Sequence, residues 1–204
     1  MISAGMWEEI GELAGEHLAI VASAISIACI VAIPSAIAIS RRPRASRIIL
    51  AVTNIFQTIP SLALFGFLIP FLGIGKATAI VALVLYALMP VFRNTLVGIR
   101  GVDSAVRESA VAMGMTPGQV LRQVELPLAS RTMLAGVRIA TVTTIGTATI
   151  AAAIGAGGLG VFIFRGIASI DTQQILAGAI PAAVMAIIAD ELLEWLERRL
   201  ARVS

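Results

Sequence analysis

The chain has 204 residues, of which 58% are apolar and 13% are charged, and its mean hydropathy is +0.97. Ordinary soluble domains carry roughly 25% charged residues, so a water-soluble fold would leave much of this apolar surface exposed. The net charge of +3 does not indicate a nucleic-acid partner, because the arginines flank hydrophobic segments and form no continuous basic face. Composition therefore predicts an all-α integral membrane protein embedded in a lipid bilayer.

The acidic segment of residues 1–16 carries Trp7 and apolar residues at helical spacing. We expect a short interfacial helix here, with Trp7 at the level of the lipid headgroups. The first predicted span runs from His17 to Ser40, and its apolar run is too long for a cleaved signal peptide. His17 is interpreted as a boundary residue rather than a ligand.

The second predicted span, Ile48 to Leu72, contains prolines and an unusual set of polar residues. The third runs from Ala77 to Phe92 and extends to about Val97. The fourth, Thr132 to Ile154, is rich in threonine and leads into a glycine-rich stretch, and the fifth covers about Ile175 to Trp195. The chain is thus predicted to form a single transmembrane domain, 1–204, with about five transmembrane helices.

Basic residues predict the orientation, because arginine-rich loops stay on the cytoplasmic side. Thirteen of the fifteen basic residues follow the first, third and fifth spans or begin the fourth, whereas Lys76 and Arg165 alone fall on the opposite side. We therefore expect the amino terminus outside and the carboxyl terminus in the cytoplasm, which an odd number of spans satisfies.

The polar segment between the third and fourth spans holds a spaced pattern. It reads Glu108-Ser109-Ala110-Val111-Ala112-Met113-Gly114, then nine residues, then Val124-Glu125-Leu126-Pro127. Residues 102–113 are predicted to form a short helix that Gly114 ends, and Thr116-Pro117 is predicted to begin another.

This pattern resembles the EAA motif of ATP-binding-cassette (ABC) importer permeases, in which Glu-Ala-Ala, three residues, Gly, nine residues and Ile-x-Leu-Pro form the cytoplasmic coupling segment. The spacing matches residue for residue, although Ser109 and Val124 replace the usual Ala and Ile. The resemblance implies a type I importer permease fold and a coupling segment at residues 98–130. The implied ATPase-coupling residues are Arg107, Glu108, Ser109, Ala110, Gly114, Leu126 and Pro127.

Three further sequence segments resemble those of permeases of glycine betaine, carnitine and choline importers. They are Gln57-Thr58-Ile59-Pro60-Ser61-Leu62-Ala63-Leu64, Ile154-Gly155-Ala156-Gly157-Gly158-Leu159-Gly160 and Leu176-Ala177-Gly178-Ala179-Ile180-Pro181. This resemblance implies an importer of quaternary-amine osmoprotectants. It also implies two ABC ATPase subunits that use the ATP, a second permease copy or a related permease, and an extracytoplasmic substrate-binding protein. The chain itself carries no phosphate-binding loop, so we expect no cofactor, no metal and no enzymatic activity of its own.

Polar residues within spans indicate a translocation pathway, because they are costly in hydrocarbon and face a cavity or another helix. In the second span, four such residues recur at steps of three or four and are predicted to share a helical face: Asn54, Gln57, Thr58 and Ser61. The fourth span offers Thr143, Thr144 and Thr147, which alternatively bond to their own helix backbone.

The glycines after the fourth span, Gly155, Gly157, Gly158 and Gly160, predict either an external gate or a tight turn. Asp190 and Glu191 near the end of the fifth span are candidates for proton or cation sites. Alternatively, they are interfacial acids within reach of Arg198 and Arg199.

Two rival functions remain. The coupling pattern alone fits a permease for an amino acid such as methionine equally well, and Asp190 and Glu191 leave room for an ATP-independent channel or carrier. An intramembrane enzyme is excluded, because His17 is the only histidine and the aspartates are scattered.

Overall fold

The computed structural model describes residues 4–200 as a helical bundle. Its helices are α1 (Ala4–Ile39), α2 (Pro43–Thr58), α3 (Ser61–Leu72), α4 (Lys76–Arg100), α5 (Ser104–Ala112), α6 (Pro117–Gln119), α7 (Leu126–Ile150), α8 (Gly160–Ser169) and α9 (Thr172–Leu200). A π-helical turn, Val120–Glu125, joins α6 to α7, and a 3-10 turn, Ala151–Ile154, follows α7.

Four helical segments are long and apolar enough to cross a membrane: Gly5–Ile39, Lys76–Arg100, Pro117–Ile154 and Thr172–Arg199. α2 and α3 satisfy the same criterion only as a pair, and their axes are bent by 102° at the break between them. Within the described residues, the predicted five spans are therefore four helices and one bent pair.

α1 corrects the prediction for the amino-terminal segment. Residues 4–16 form no separate short helix, because they are the first turns of a continuous 36-residue helix. At 1.5 Å per residue α1 is about 54 Å long, which exceeds a hydrocarbon core of about 30 Å. Residues 1–3 of that segment, and Arg202 of the charged tail, lie outside the described residues.

The second and fourth spans also differ from their predicted bounds. Ile59 and Pro60 have extended backbone, and Pro60 cannot donate a helical hydrogen bond, so the span predicted for Ile48 to Leu72 divides there. The fourth span was predicted to begin at Thr132, but its helix begins at Pro117 and continues through the π-helical turn to Ile154. The coupling segment is thus continuous with a membrane helix.

Small residues allow the helices of the core to approach closely. Ala24, Ala28, Ala32 and Ala36 recur every four residues on α1, and all four are buried. α4 packs against α7 at Gly98, where a methyl group would lie 2.9 Å from the Ala129 carbonyl oxygen. Close contact between small residues is a common way of packing membrane helices, where lipid tails offer no hydrophobic driving force.

α8 and α9 complete one end of the bundle. Phe162 of α8 and Ala177 of α9 pack against Ile10 of α1 in a small apolar cluster. Asp171 caps α9, since its carboxylate accepts a hydrogen bond from the Gln173 backbone N–H at 2.9 Å. The hydrogen bond from the Gln174 side chain is the main cause that lowers the pKa of Asp171.

Candidate coupling segment and polar sites within the spans

α5 ends before Gly114 as predicted, but it begins at Ser104, two residues later than predicted. The Asp103 carboxylate accepts a hydrogen bond from the Ala105 N–H at 2.9 Å and caps the amino end. At the carboxyl end Gly114 has φ +85°, and Met115 N–H donates to the Ala110 carbonyl at 3.2 Å. This is a Schellman ending, in which a glycine takes the left-handed conformation that other residues disfavour.

The helix after Gly114 begins with a capping box. Thr116 N–H donates to Gln119 Oε1 at 2.7 Å, and Gln119 N–H donates to Thr116 Oγ1 at 3.4 Å. The predicted start at Thr116-Pro117 is therefore confirmed. The two caps fix the elbow between α5 and the helix that leads into the bundle.

The motif residues divide into an exposed set and a packed set. Glu108, Ser109 and Gly114 are exposed, whereas Ala110 is buried against the bundle. Pro127 is exposed and Leu126 is half-buried. Apolar side chains are also exposed here outside the spans, with Val111 of α5 59% exposed and Met113, directly after α5, 76% exposed. Exposed apolar residues beside charged ones are typical of a protein-docking surface.

Glu125 was not among the predicted coupling residues, although it lies within the motif. It is only 2% exposed, and its carboxylate faces two arginines from different elements. Arg41 Nη2, in the turn after α1, lies 3.1 Å from both carboxylate oxygens. Arg107 Nε, on α5, lies 3.0 Å from Oε1. We call Arg41, Arg107 and Glu125 the arginine–carboxylate clamp. In the sequence, Glu125 is visible only as a single acidic residue before Leu126-Pro127, and nothing there indicates which arginines pair with it.

Among the predicted pathway residues of the second span, the bend separates Ser61 from the others. Asn54, Gln57 and Thr58 lie on exposed positions of α2, whereas Ser61 begins α3. The shared face predicted for all four is therefore wrong for Ser61, because it assumed an unbroken helix. Asn54 lines an open cavity of about 320 Å³ together with Arg93 of α4.

Gln57 has a partner that its spacing did not indicate. Pro90 has no N–H, so the Tyr86 carbonyl four residues earlier lacks its helical donor, and Gln57 Nε2 donates to that oxygen. Tyr86 Oη in turn donates to the Ile59 carbonyl, which is free where α2 ends. These two hydrogen bonds connect the bend to α4.

The threonines of α7 mostly follow the alternative that sequence analysis left open. Thr143 Oγ1 donates to the Ile139 carbonyl at 2.7 Å, and Thr147 Oγ1 donates to the Thr143 carbonyl at 2.9 Å. Thr144 is 2% exposed, and its hydroxyl has no partner among the described residues. It is thus a packed residue on the inner side of α7.

The glycine-rich stretch packs directly on α1. Gly155, Gly157 and Gly158 all have positive φ, and the Gly158 N–H donates to Glu16 Oε2 at 3.2 Å. Glu16 also accepts from Lys76 Nζ at 2.9 Å. Gly160 begins α8, and a side chain there would collide with the Thr149 carbonyl.

His17 is fully buried beside this stretch, so it packs inside the bundle at the end of α1 where it was interpreted as a boundary residue. Its Nε2 lies 3.0 Å from the Ile145 carbonyl oxygen, so that nitrogen carries the proton. A methyl group at Gly158 would lie 2.9 Å from His17 Nδ1. The stretch therefore forms a tight closure between α1, α4 and α7.

Asp190 pairs with a different residue from those predicted. Arg138 of α7 reaches Asp190 at 3.4 Å and Glu194 at 3.3 Å, so this network joins α7 to α9. The predicted partner Arg198 pairs instead with Glu194 one turn earlier. Glu191 is exposed at the same end of α9.

Comparisons with known proteins agree with this architecture. A family model described as the binding-protein-dependent transport system inner membrane component matches residues 24–202. The choline transport system permease protein OpuBB of Bacillus subtilis (strain 168) is 44% identical over 185 residues, which cover 91% of this chain and 85% of the relative. The carnitine transport permease protein OpuCD of Listeria monocytogenes serotype 1/2a is 49% identical over 189 residues, with 92% and 85% covered.

A solved structure of the MetNI methionine ABC transporter, in an inward-facing conformation, contains a chain of the same fold. The TM-score is 0.87 at 24% identity, and the match covers 97% of this chain and 99% of that one. These comparisons confirm the predicted type I importer permease fold and the prediction of a transport subunit rather than an enzyme. The chain belongs to the family of inner membrane components of binding-protein-dependent transport systems.

Proposed function

We propose that this chain is the permease subunit of an ABC importer that moves quaternary-amine osmoprotectants inward by alternating access. The observation that carries the proposal is identity of 44% and 49%, over about nine-tenths of the chain, to permeases named for choline and carnitine. The likeness to the methionine transporter chain is 24% identical, so it supports the fold and not the substrate. Glycine betaine, choline and carnitine are the proposed cargo.

The proposed partners are a second permease, two ATPase subunits and a binding protein. Four spans and a bent pair are too few to enclose a pathway, so we place this permease beside a second copy or a related permease. The assembly has two ATPase subunits, and one of them docks on α5 of this chain through Glu108, Ser109 and the apolar side chains of Val111 and the following Met113. An extracytoplasmic binding protein delivers the substrate.

The orientation places α5 in the cytoplasm. Described basic residues crowd the end of the bundle that holds α5, whereas Lys76 and Arg165 at the other end are both paired with glutamates of α1, Glu16 and Glu9. Cationic loops are retained on the cytoplasmic side of membranes. This distribution of charge supports an amino terminus outside and a carboxyl terminus inside.

We assign the pathway to polar positions of α2 and α7 that are exposed or, for Thr147, half-buried. Asn54 and Thr58 on α2, with Thr143 and Thr147 on α7, present neutral polar groups at membrane depth, where exposure to lipid is costly. Such a lining suits a quaternary ammonium ion, which donates no hydrogen bond and needs only weak contacts to pass. The larger groove, about 600 Å³ between α1, α7 and α9, is lined mainly by apolar side chains and offers little to a cation.

The external gate is assigned to the stretch from Gly155 to Gly160. Its contacts with Glu16 and His17, together with the ion pair between Glu16 and Lys76, hold this end of the bundle together in the conformation described. Outward opening then requires the Gly158–Glu16 hydrogen bond to break. No proton site is assigned to Asp190, because Arg138 pairs with it.

Uptake into reconstituted vesicles tests the substrate. The vesicles contain this chain with its ATPase and binding protein. Uptake of labelled glycine betaine, choline and carnitine is compared with uptake of labelled methionine, with ATP supplied either inside or outside the vesicles. ATP-dependent uptake of at least one osmolyte, without methionine uptake, is expected. Uptake of methionine and of none of the osmolytes would contradict the proposed substrate and indicate an amino-acid importer.

A further inference from the structure

The arginine–carboxylate clamp connects two parts of the chain that lie far apart in sequence. Arg41 precedes Glu125 by 84 residues, yet its guanidinium lies 3.1 Å from both carboxylate oxygens. Arg107 belongs to α5 and lies 3.0 Å from the same carboxylate. One buried acid therefore faces both the turn between α1 and α2 and the docking helix.

Further hydrogen bonds fix the two elements that carry the arginines of the clamp. Arg107 Nη2 also donates to the Val102 carbonyl at 2.9 Å, which fixes the junction between α4 and α5. Beside Arg41, Arg100 at the end of α4 donates to the Ser40 carbonyl at 2.9 Å and to Ser46 Oγ. The turn between α1 and α2 is thus fastened to α4 and to the π-helical turn at the same time.

The energetics favour a permanent contact. A carboxylate that is 2% exposed is strongly destabilised without counter-charges, and two guanidinium groups compensate it here. Glu125 also ends the π-helical turn, whose backbone geometry Pro127 favours because it lacks an N–H for the Gln123 carbonyl. Displacing α5 alone would leave this charge partly unpaired, so α5 and the turn resist separation.

We propose that Glu125 is a positioning residue that makes α5 and the segment Ser40–Ser46, the turn after α1 with the first residues of α2, move as one rigid body when the ATPase subunits close. This inference rests on the proposed role of α5 as the ATPase-docking helix. Its consequence is that α1, which also carries Glu16 and His17 at the opposite end, receives the motion of α5 directly. The clamp therefore links the docking surface to the helix that packs on the glycine-rich stretch.

The first test compares four variants in the assembled complex with its ATPase and binding protein: Glu125→Gln, Arg41→Gln, the double variant, and Arg44→Gln as control. Arg44 is an exposed arginine of the same region without an ion-pair partner among the described residues. The readout is substrate taken up per ATP hydrolysed. A merely structural role lowers the amount of assembled complex and leaves this ratio unchanged.

We expect Glu125→Gln and Arg41→Gln each to lower the ratio by about fivefold or more, and the double variant to be no worse than either. Arg44→Gln should match the wild type. The proposal is overturned if Arg41→Gln, which lies outside the docking helix, leaves the ratio unchanged, or if the two single effects multiply in the double variant.

Hydrogen–deuterium exchange on the same complexes tests the clamp independently of the proposed substrate. Glu125→Gln should raise amide exchange both in Ser104–Ala112 and in Ser40–Ser46, whereas Arg44→Gln should not. If the wild-type complex imports none of the three osmolytes, the substrate proposal fails and exchange alone decides the clamp. Unchanged exchange in both segments of Glu125→Gln would contradict it.

Discussion

The carbonyl of Tyr86 has no helical donor, because Pro90 four residues later carries no N–H. Gln57 supplies the missing donor, and the Tyr86 hydroxyl supplies a donor to the Ile59 carbonyl at the end of α2. The spacing of Gln57 on α2 indicates only that it faces the same side as Asn54. Its partner is 29 residues away, so sequence reasoning placed it on the pathway and missed its role in the bend.

Gln57→Leu should destabilise the permease. The Tyr86 carbonyl would lose its donor, and an unpaired polar group costs about 1–3 kcal/mol when buried; we expect the lower end, since Gln57 is exposed. Thermal unfolding of the purified protein in detergent measures the effect. Gln123→Leu is the matched control, because Gln123 is exposed and its side chain has no hydrogen bond within the described part of the chain. Equal midpoints for the two variants would disprove the role of Gln57.

Two glycines give opposite expectations for the same substitution. Gly158 has φ +77°, and an alanine there would bring a methyl group 2.9 Å from His17 Nδ1. We expect Gly158→Ala to destabilise by at least about 1–2 kcal/mol from backbone strain alone. Gly146 lies inside α7 with open space around it, so Gly146→Ala should be neutral or stabilising by up to about 1 kcal/mol. Unfolding midpoints that fall equally for both variants would contradict this packing.

At the scale of the helices, local sequence signals predicted α5 well and the second span poorly. Gly114 and the Thr116-Pro117 pair are short-range signals, and each acts within its own turn; the cap at Asp103, which sets the start of α5, was not predicted. The bend before α3 is held instead by two long-range hydrogen bonds, one donated by Gln57 to the Tyr86 carbonyl and one donated by Tyr86 to the Ile59 carbonyl. A proline in the sequence predicts a break but not its 102° angle.

The caps of α5 and α9 allow a matched test of local stability. Asp103→Ala removes the cap of α5 and Asp171→Ala that of α9, and each loss should destabilise the first turn of its own helix. Amide exchange should rise in Ser104–Ala112 for the first variant only, and at the start of α9 for the second only. Exchange that rises everywhere, or nowhere, would show that these caps do not act locally.

For the whole molecule, composition and hydrophobic runs predicted the class of fold, because a chain in a bilayer must pair its backbone within helices. The contacts between helices were not predictable in the same way. The clamp joins residues 84 positions apart, and the closure at Gly158 joins residues 142 positions apart. No single-sequence pattern indicates which arginine meets Glu125 or which acid meets the glycine-rich stretch.

Cysteine labelling tests the proposed orientation in a Cys29→Ser background. Ile170→Cys stands at a position 93% exposed between α8 and α9, and Arg44→Cys at an exposed position at the start of α2. A membrane-impermeant maleimide should label Ile170→Cys in intact cells and Arg44→Cys only after permeabilisation. The reverse pattern would invert the topology and place α5 outside.

ATP-dependent uptake by the Glu108→Arg variant tests the central claim most directly. Glu108 is exposed on α5, so reversing its charge should leave the fold intact and disrupt docking of the ATPase. Glu191→Arg makes the same change at an exposed position outside the coupling segment and should transport normally. We predict that Glu108→Arg abolishes uptake while its unfolding midpoint stays at that of the wild type. Uptake at the wild-type rate would show that α5 is not the helix through which ATP drives transport.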